Sequence, residues 1–585
     1  MVPAATMQID KIPLNVNGKV DKRKLPEIKA ESSKKKNSAP RELTFLEKKI
    51  SAIIEKIIGH SDFDISENLI NAGMTSLSVI KLAVELNKAF GFEAQVKKMM
   101  KGCSVLSIED ELQEFMFSGT ANPQTVKKEE KKEHKALYPL SKTQLGVYID
   151  CMKNPYSTLY NIPSILTFSK SVDAQKLADC VVKVIKAHPY IMTHLSLEND
   201  DIEQAYVDSA KPNVPVEKLT EEQLEAYKKD FVKPHNLMKA PLFRISVAET
   251  EKAVYLLSDF HHLIFDGASV ALFFEQLKTL YEGGNIEPES YTYFDYAENE
   301  IKAESSDEFR NAEKFFDNMM KNFESASEIT ADLRGHAEDG ALASQAVPVD
   351  MARVENFCSQ HGITPAHLFL AGTFYAVSRF VNSRNVYIST ISNGRSDMRL
   401  TNCFGMFVKT LALGIEIEDI TSLEFVEKSK AVFTDSIENE IYPYAQLCAK
   451  YGYAPNIMYE YQLGVVDNLE IDGKAVVRDY LEMNTAKFKT AIHIEDYKGK
   501  PSVVVQYNDA LYSGELMRTL AKSVLCAVEH IIENPNGKIR KVSLLDNAAI
   551  AQLESFKSTE IAPVKTKLLH KMFEEQVAKA PDRIA

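Results

Sequence analysis

Two adjacent histidines, His261 and His262, follow the strand-like run AVYLLSDF and precede Asp266 and Gly267. Successive side chains of a strand point to opposite faces, so the two imidazoles would not converge on one metal ion. An imidazole titrates near neutral pH and can hold or accept a proton at a strand end, where catalytic residues often lie. The spacing favours acid–base chemistry over a metal site, and a histidine satisfied within a core is the simpler alternative.

The two residues that follow the pair would shape its loop. Asp266 either orients one imidazole or, more plausibly, braces the loop by pairing with an arginine. Gly267 would let the chain turn sharply before the helical pattern ASVALFFEQLKTLYEG.

A third candidate, Ser76, stands at the start of the helical pattern SLSVIKLAVEL. Serine is a preferred helix N-cap, because its hydroxyl accepts a hydrogen bond from a free backbone N–H of the first turn. The residue type alone therefore predicts a cap.

Composition limits the possible functions. The chain has 585 residues, too many for one hydrophobic core, and a formal net charge of −13. An acidic balance argues against nucleic acid or an anionic membrane as the main partner. No apolar run approaches a membrane span and no signal peptide opens the chain. The seven cysteines form no CxxC pair, which favours a reducing, cytoplasmic setting without disulfides.

Changes in pattern along the chain predict several domains. A small all-α unit shows apolar residues at helical spacing, and a larger α/β block carries strand-like runs such as SILTF, RISVAE, NVYISTIS, VKTLALGI and SVVVQY. The size of that block predicts two lobes. The predicted units are a tail (1–28), a linker (29–40), the all-α domain (41–118), a charged linker (119–136), the α/β block (137–545, lobe boundary near 305–320) and a last stretch (546–585).

The segment HHLIFDG resembles the HHxxxDG motif of nonribosomal peptide synthetase condensation domains. Further segments resemble other motifs of that family, in the family's order over about 400 residues. They are ALYPLSKTQLGVYID at the domain's opening, KAHPYIMTHL (RHExLRT), KPHNLMKAPLFR (PFDLxxGPLxR, with Arg244 at its arginine), YTYFDYA (YxDFAxW), ISNGRS (GxPVAGR), FGMFVKTL (GxFVNTL) and IYPYAQL (DYPFExL).

The resemblance implies two lobes like chloramphenicol acetyltransferase, arranged in a V around a tunnel. It also implies peptide-bond formation, in which an acceptor amine attacks a donor thioester. His262 would be the central residue, positioning the amine and able to accept its proton. Asp266 would be structural, with Arg395 as its salt-bridge partner.

The segment INAGMTSL resembles the LGGxSL core of peptidyl carrier proteins, which are four-helix bundles. The resemblance implies that a phosphopantetheinyl transferase attaches 4′-phosphopantetheine to Ser76, and a phosphodiester suits a helix N-terminus. Gly73 and Leu77 match the family core, whereas Met74 and Thr75 depart from it.

The two ends resemble parts of adenylation domains. IPLNVNGKVDK is similar to the motif PxxxNGKxDR, with Lys19 at its lysine, and LLHKMFEEQVAKAPDRIA resembles an opening helix. This order implies upstream and downstream adenylation domains, a downstream acceptor carrier and an elongation-type condensation domain with an L-configured donor. The alternatives are an ester-forming acyltransferase, an epimerase, or a degenerate module that only binds partners.

Overall fold

A computed structural model describes residues 43–70, 72–74, 76–90, 92, 94–117, 135–198, 201–207, 212–336, 340–463, 469–479, 488–497, 499–545, 547–557 and 568–583. The predicted tail with Lys19, the linker over 29–40 and most of the linker over 119–136 lie outside these residues, as does Thr75.

The small N-terminal domain is a helical bundle, as predicted. Thr44 caps its first helix in a reciprocal capping box with Glu47, and Gly59 ends that helix in a left-handed conformation. Apolar residues at helical spacing, such as Ile50 and Ile54, are fully buried in the bundle core. Its helices are α1 (Phe45–Ile58), α2 (Ser76–Phe90), α3 (Val96–Lys101) and α4 (Val105–Phe117).

The first lobe of the large domain, the N-lobe, alternates strands and helices. Its elements are β1 (Leu137–Pro139), α5 (Lys142–Lys153), β2 (Asn161–Ser169), α6 (Ala174–Ala187), β3 (His194–Glu198), β4 (Asp201–Ala205), β5 (Val216–Lys218), α7 (Glu221–Phe231), β6 (Phe243–Glu249), β7 (Ala253–His261), α8 (Gly267–Tyr281) and α9 (Tyr293–Ala303).

The second lobe, the C-lobe, begins with α10, the helix on which the predicted lobe boundary falls. Its elements are α10 (Asp307–Met320), β8 (Leu342–Pro348), α11 (Met351–His361), α12 (Pro365–Phe380), β9 (Asn385–Ser392), β10 (Lys409–Glu416), α13 (Ser422–Glu438), α14 (Tyr444–Tyr451), β11 (Ile457–Tyr461), β12 (Glu470–Ile471), β13 (Lys474–Ala475), β14 (Val477–Asp479), β15 (Thr490–Asp496), β16 (Pro501–Asn508) and α15 (Gly514–Glu533). Two further helices follow, α16 (Asn547–Lys557) and α17 (Leu569–Lys579).

Each lobe has its own sheet with helices packed on it. The N-lobe strands pair in the order β14-β2-β7-β6-β5, and those of the C-lobe in the order β10-β9-β11-β15-β16-β8. Every residue of the central strand β7 is buried, because α6 and α8 cover one face of this sheet and α7 covers the other. In the C-lobe, α12 and α15 pack over one face.

The two lobes exchange segments of chain. Strand β14 lies in sequence between the C-lobe strands β11 and β15 but pairs with β2 of the N-lobe. A second exchange, the crossover segment (393–408), connects β9 with β10. It places Leu400 and Phe404 in the N-lobe core. The lobes are therefore joined by apolar burial in a shared core in addition to the covalent chain.

No helix in the described parts of the chain is both long and apolar enough to cross a membrane. Within the same residues, no cluster of three or more His, Cys, Asp or Glu side chains could hold a metal ion.

The backbone of the crossover segment should tolerate no side chain at Gly394. Its φ is +62°, and a Cβ would lie 1.8 Å from the Phe407 carbonyl oxygen. At Gly283 the φ is +87°, yet a Cβ would meet no heavy atom within 4 Å. Gly283→Ala should therefore cost only the left-handed conformation, about 1–2 kcal/mol. Gly394→Ala should lower the calorimetric unfolding midpoint of the large domain further, and equal midpoints for the two variants would contradict this.

Candidate active site and carrier helix

Strands β2 and β7 deliver the histidine pair to one end of the N-lobe sheet. His261 is the last residue of β7 and pairs with Asn161 of β2. Beyond the strand, the His262 N–H donates to the Tyr160 carbonyl oxygen at 2.7 Å. The backbone of the pair is thus held by the neighbouring strand on one side.

The His261 imidazole stabilises the loop by a hydrogen bond, and the residue is only 4% exposed. Its Nδ1 accepts the backbone N–H of Leu263 at 3.1 Å, so the proton of the neutral imidazole sits on Nε2, which lies 3.8 Å from the Cys151 sulfur. Burial lowers the pKa of His261 to about 3, and nearby positive charges act in the same direction. His261 is therefore a neutral group that fixes the loop conformation.

The His262 imidazole has a different environment. It is partly exposed, whereas that of His261 is buried. The His262 imidazole and the Tyr160 ring pack edge to face, with ring centroids 6.5 Å apart. The Tyr160 hydroxyl donates in turn to Asp150 at 2.9 Å. Of the two histidines, His262 is the one that a substrate can reach.

Asp266 and Arg395 meet across the junction of the lobes, as the resemblance implied. Asp266 is fully buried, caps α8 through the Ser269 N–H at 2.7 Å, and accepts the Phe407 N–H at 3.0 Å. Arg395 Nη2 lies 3.1 Å from the carboxylate. The same guanidinium donates through Nη1 to the carbonyl oxygens of Leu400 at 2.6 Å and Cys403 at 2.8 Å. The pair therefore ties the loop of the histidine pair to the crossover segment.

Gly267 does not make the sharp turn that the sequence suggested. It is the first residue of α8, and its φ lies outside the left-handed region that favours glycine. A Cβ at this position would meet no heavy atom within 4 Å. The turn comes from the Asp266 cap, and Gly267 leaves open space beside the loop.

The sequence analysis missed a third histidine behind the pair. His235 packs edge-on against His261, with ring centroids 5.8 Å apart. Arg244 Nη1 donates to His235 Nε2 at 3.0 Å and to Asp259 at 2.8 Å, and Asn161 donates to the same carboxylate. Since a guanidinium only donates, His235 carries its own proton on Nδ1. The signal was available in the sequence, because His235 stands where the motif PFDLxxGPLxR has phenylalanine.

In the carrier domain, α2 begins at Ser76, whose side chain lies outside the described part of the structure. Met74, a departure from the carrier motif, is 2% exposed and belongs to the core of the bundle. Its N–H donates to the Leu69 carbonyl oxygen at 3.0 Å. The departure therefore adds apolar packing just before the helix that begins with Ser76.

Removing the Asp266 carboxylate should destabilise the junction of the lobes. Asp266→Ala leaves the Arg395 guanidinium buried without its counter-charge, which should cost about 3–5 kcal/mol. Asp266→Asn keeps an acceptor for the Ser269 N–H and should cost less. The calorimetric transition of the large domain measures both, and an unchanged midpoint for Asp266→Ala would show that the pair does not support the fold.

Acid should destabilise the native state through His261. Its native pKa is near 3, whereas in the unfolded chain a histidine titrates near pH 6.5. Below about pH 6.5 only the unfolded state binds this proton, so stability falls with pH by up to about 1.4 kcal/mol per unit until about pH 3. Thermal unfolding between pH 5 and 7.5 should therefore show a shallower pH dependence for His261→Gln than for wild type. Parallel curves would contradict burial of a neutral His261.

The family model "Condensation domain" matches residues 134–554, and "Phosphopantetheine attachment site" matches residues 48–110. The chain is 24% identical to bacitracin synthase 3 of Bacillus licheniformis, 25% to surfactin synthase subunit 2 of Bacillus subtilis (strain 168) and 26% to tyrocidine synthase 3 of Brevibacillus parabrevis. Each match covers 100% of this chain but only 9%, 17% and 9% of the relative.

Solved structures share the fold of the large domain. The first condensation domain of the calcium-dependent antibiotic synthetase, with a substrate analogue, superposes with a TM-score of 0.60 at 15% identity. That match covers 71% of this chain and 100% of the other. The condensation domain of the monacolin K polyketide synthase gives 0.61 at 16% identity, covering 69% and 99%. The chain belongs to the condensation-domain family of nonribosomal peptide synthetases, with a phosphopantetheine carrier domain ahead of its condensation domain.

Proposed function

We propose that this chain forms an amide bond between a donor carried on its own carrier domain and an amine brought by a downstream acceptor carrier. The observation that carries the proposal is His262, the accessible imidazole on a loop that the buried Asp266–Arg395 pair holds. The condensation domain is of the elongation type, because a carrier domain precedes it in the same chain. An L-configured donor follows from the absence of any epimerisation domain between the two in the sequence.

The carrier end of the chain suits a phosphate group. Helix α2 has 15 residues, begins at Ser76 and carries no acidic residue in its first turn. The free N–H groups and the dipole of such a helix favour a phosphodiester at its start, and no neighbouring carboxylate in that turn opposes it. Ser76 is the residue to which a phosphopantetheinyl transferase attaches 4′-phosphopantetheine. When bound, this group holds the acyl donor as a thioester.

In the reaction, the acceptor nitrogen attacks the thioester carbonyl, a C–N bond forms, and the C–S bond breaks to release a thiol. An α-amino group has a pKa near 8, so it must lose a proton before attack. The ammonium proton passes to solvent. His262 holds the neutral amine by a hydrogen bond, accepts the second proton that the nitrogen loses as the C–N bond forms, and gives it to the departing thiolate. His261 takes no part in the transfer, because its Nδ1 is engaged with Leu263 and its imidazole is buried.

The partners and the compartment follow from the same assignment. Adenylation domains upstream and downstream supply the aminoacyl groups, and the acceptor carrier belongs to the downstream module. The seven cysteines all lie in the described part of the chain and none of them forms a disulfide there, and Cys448 and Cys526 are partly exposed. Reduced cysteines at partly exposed positions fit a reducing compartment, which favours the cytoplasm.

The loading and the transfer can be tested in one series. After incubation with coenzyme A and a broad-specificity phosphopantetheinyl transferase, the intact mass of wild type should rise by the mass of one phosphopantetheine arm, and that of Ser76→Ala should not change. With the arm loaded with an L-aminoacyl donor, His262→Ala should slow amide formation about 10²–10⁴-fold, the usual contribution of a positioned acid–base group.

The controls separate the competing reactions. Wild type offered an amine and an alcohol acceptor should give the amide, and an ester product would favour an ester-forming acyltransferase. A donor returned with inverted configuration would favour an epimerase. Equal rates of amide formation for wild type and His262→Ala would show that His262 has no catalytic role. If the mass of wild type does not rise by a phosphopantetheine arm, the chain would be a module that only binds partners.

A further inference from the structure

A short 3-10 helix in the crossover segment, Met398–Asn402, contacts two domains at once. Leu400 points inward and is 2% exposed within the N-lobe core. Met398, two residues earlier, packs instead against the apolar core of the carrier bundle. The helix therefore has an inner side fixed to the condensation domain and an outer side that the carrier domain covers.

The inner side is held firmly in place. Arg395 Nη1 bonds to carbonyl oxygens at Leu400 and Cys403. The Asn402 side chain accepts from Gln276 of α8 at 2.8 Å and donates to the Glu287 carbonyl oxygen at 3.1 Å. Such fixation means that the outer side presents one defined shape to a partner, so little ordering entropy is lost on contact.

On the carrier side, the element that approaches the 3-10 helix is α2, the helix that begins with Ser76. On the condensation side, the guanidinium of Arg395 that holds the 3-10 helix also binds Asp266, four residues after His262. The attachment helix of the carrier and the catalytic loop are thus both connected to the same short helix.

We propose that the 3-10 helix Met398–Asn402 is the surface on which the chain's own carrier domain docks to deliver the donor, with Met398 as its apolar anchor. This rests on the proposed function. A half-buried side chain at the edge of the carrier core can make an apolar contact that forms and breaks readily, and an unbranched thioether adapts to an irregular surface. A carrier that must also visit an adenylation domain and a transferase needs a contact of this weak, reversible kind.

Single-turnover amide formation in the full chain tests the proposal. The acceptor is a soluble aminoacyl thioester, and the donor is either loaded on the carrier or supplied as a soluble pantetheine thioester that needs no docking. Met398→Glu places a carboxylate in the apolar contact, and should slow the carrier-loaded reaction roughly tenfold, the size of effect expected for an anchor residue at an interface. The soluble donor should react at the wild-type rate.

Two variants and one measurement serve as controls. Met398→Leu keeps the apolar volume and should retain the wild-type rate with either donor. Met238→Glu makes the same change at a methionine of the N-lobe that is 39% exposed, and should alter neither rate. An unchanged thermal unfolding midpoint would show that Met398→Glu folds normally.

The outcomes are distinct. A wild-type rate for Met398→Glu with the loaded carrier would overturn the docking surface. Equal slowing with both donors would also overturn it, because Met398 would then act through the catalytic loop. Failure of wild type itself to form amide with either donor would refute the proposed function instead, so the two failures can be told apart.

Discussion

The buried ion pair between Asp266 and Arg395 is the interaction on which the site depends. Placing two charges away from water is costly, and their mutual attraction compensates only when hydrogen bonds satisfy the remaining lone pairs and protons. Here the carboxylate also accepts two backbone N–H groups, of Ser269 and Phe407, and the guanidinium also binds two carbonyl oxygens. The pair therefore joins helix α8 of the N-lobe, the loop of the histidine pair and the crossover segment that enters from the C-lobe.

The two adjacent histidines differ in their environment and not in their residue type. His261 is buried at the end of the N-lobe sheet, where His235 packs against its ring. The Nδ1 of His261 accepts a hydrogen bond from the loop backbone, and burial lowers its pKa so that it stays neutral. His262 is presented by the same loop but stays partly exposed. The buried, neutral His261 therefore fixes the loop, and the same loop leaves the His262 imidazole accessible to solvent.

The crossover segment contacts both the N-lobe core and the carrier domain. Phe404, on its inner side, stacks on the buried His188 at a centroid distance of 3.9 Å, and Met398, on its outer side, packs against the carrier core. The segment therefore links the carrier domain to the loop that carries the histidine pair. The segment needs a left-handed backbone conformation at Gly394, where only a glycine fits against Phe407.

The sequence by itself determined the fold class, the carrier domain and the residues of the HHxxxDG segment, because these depend on local pattern. Strand-like runs became β2, β6, β7, β9, β10 and β16, and the helical patterns became α2 and α8. Only the tertiary structure showed that β14 joins the other lobe's sheet, that His235 lies behind His261, and that Gly267 is helical while Asp266 makes the turn. Strand pairing and side-chain contact between residues far apart in sequence depend on which neighbours the topology brings together, and no local periodicity encodes that.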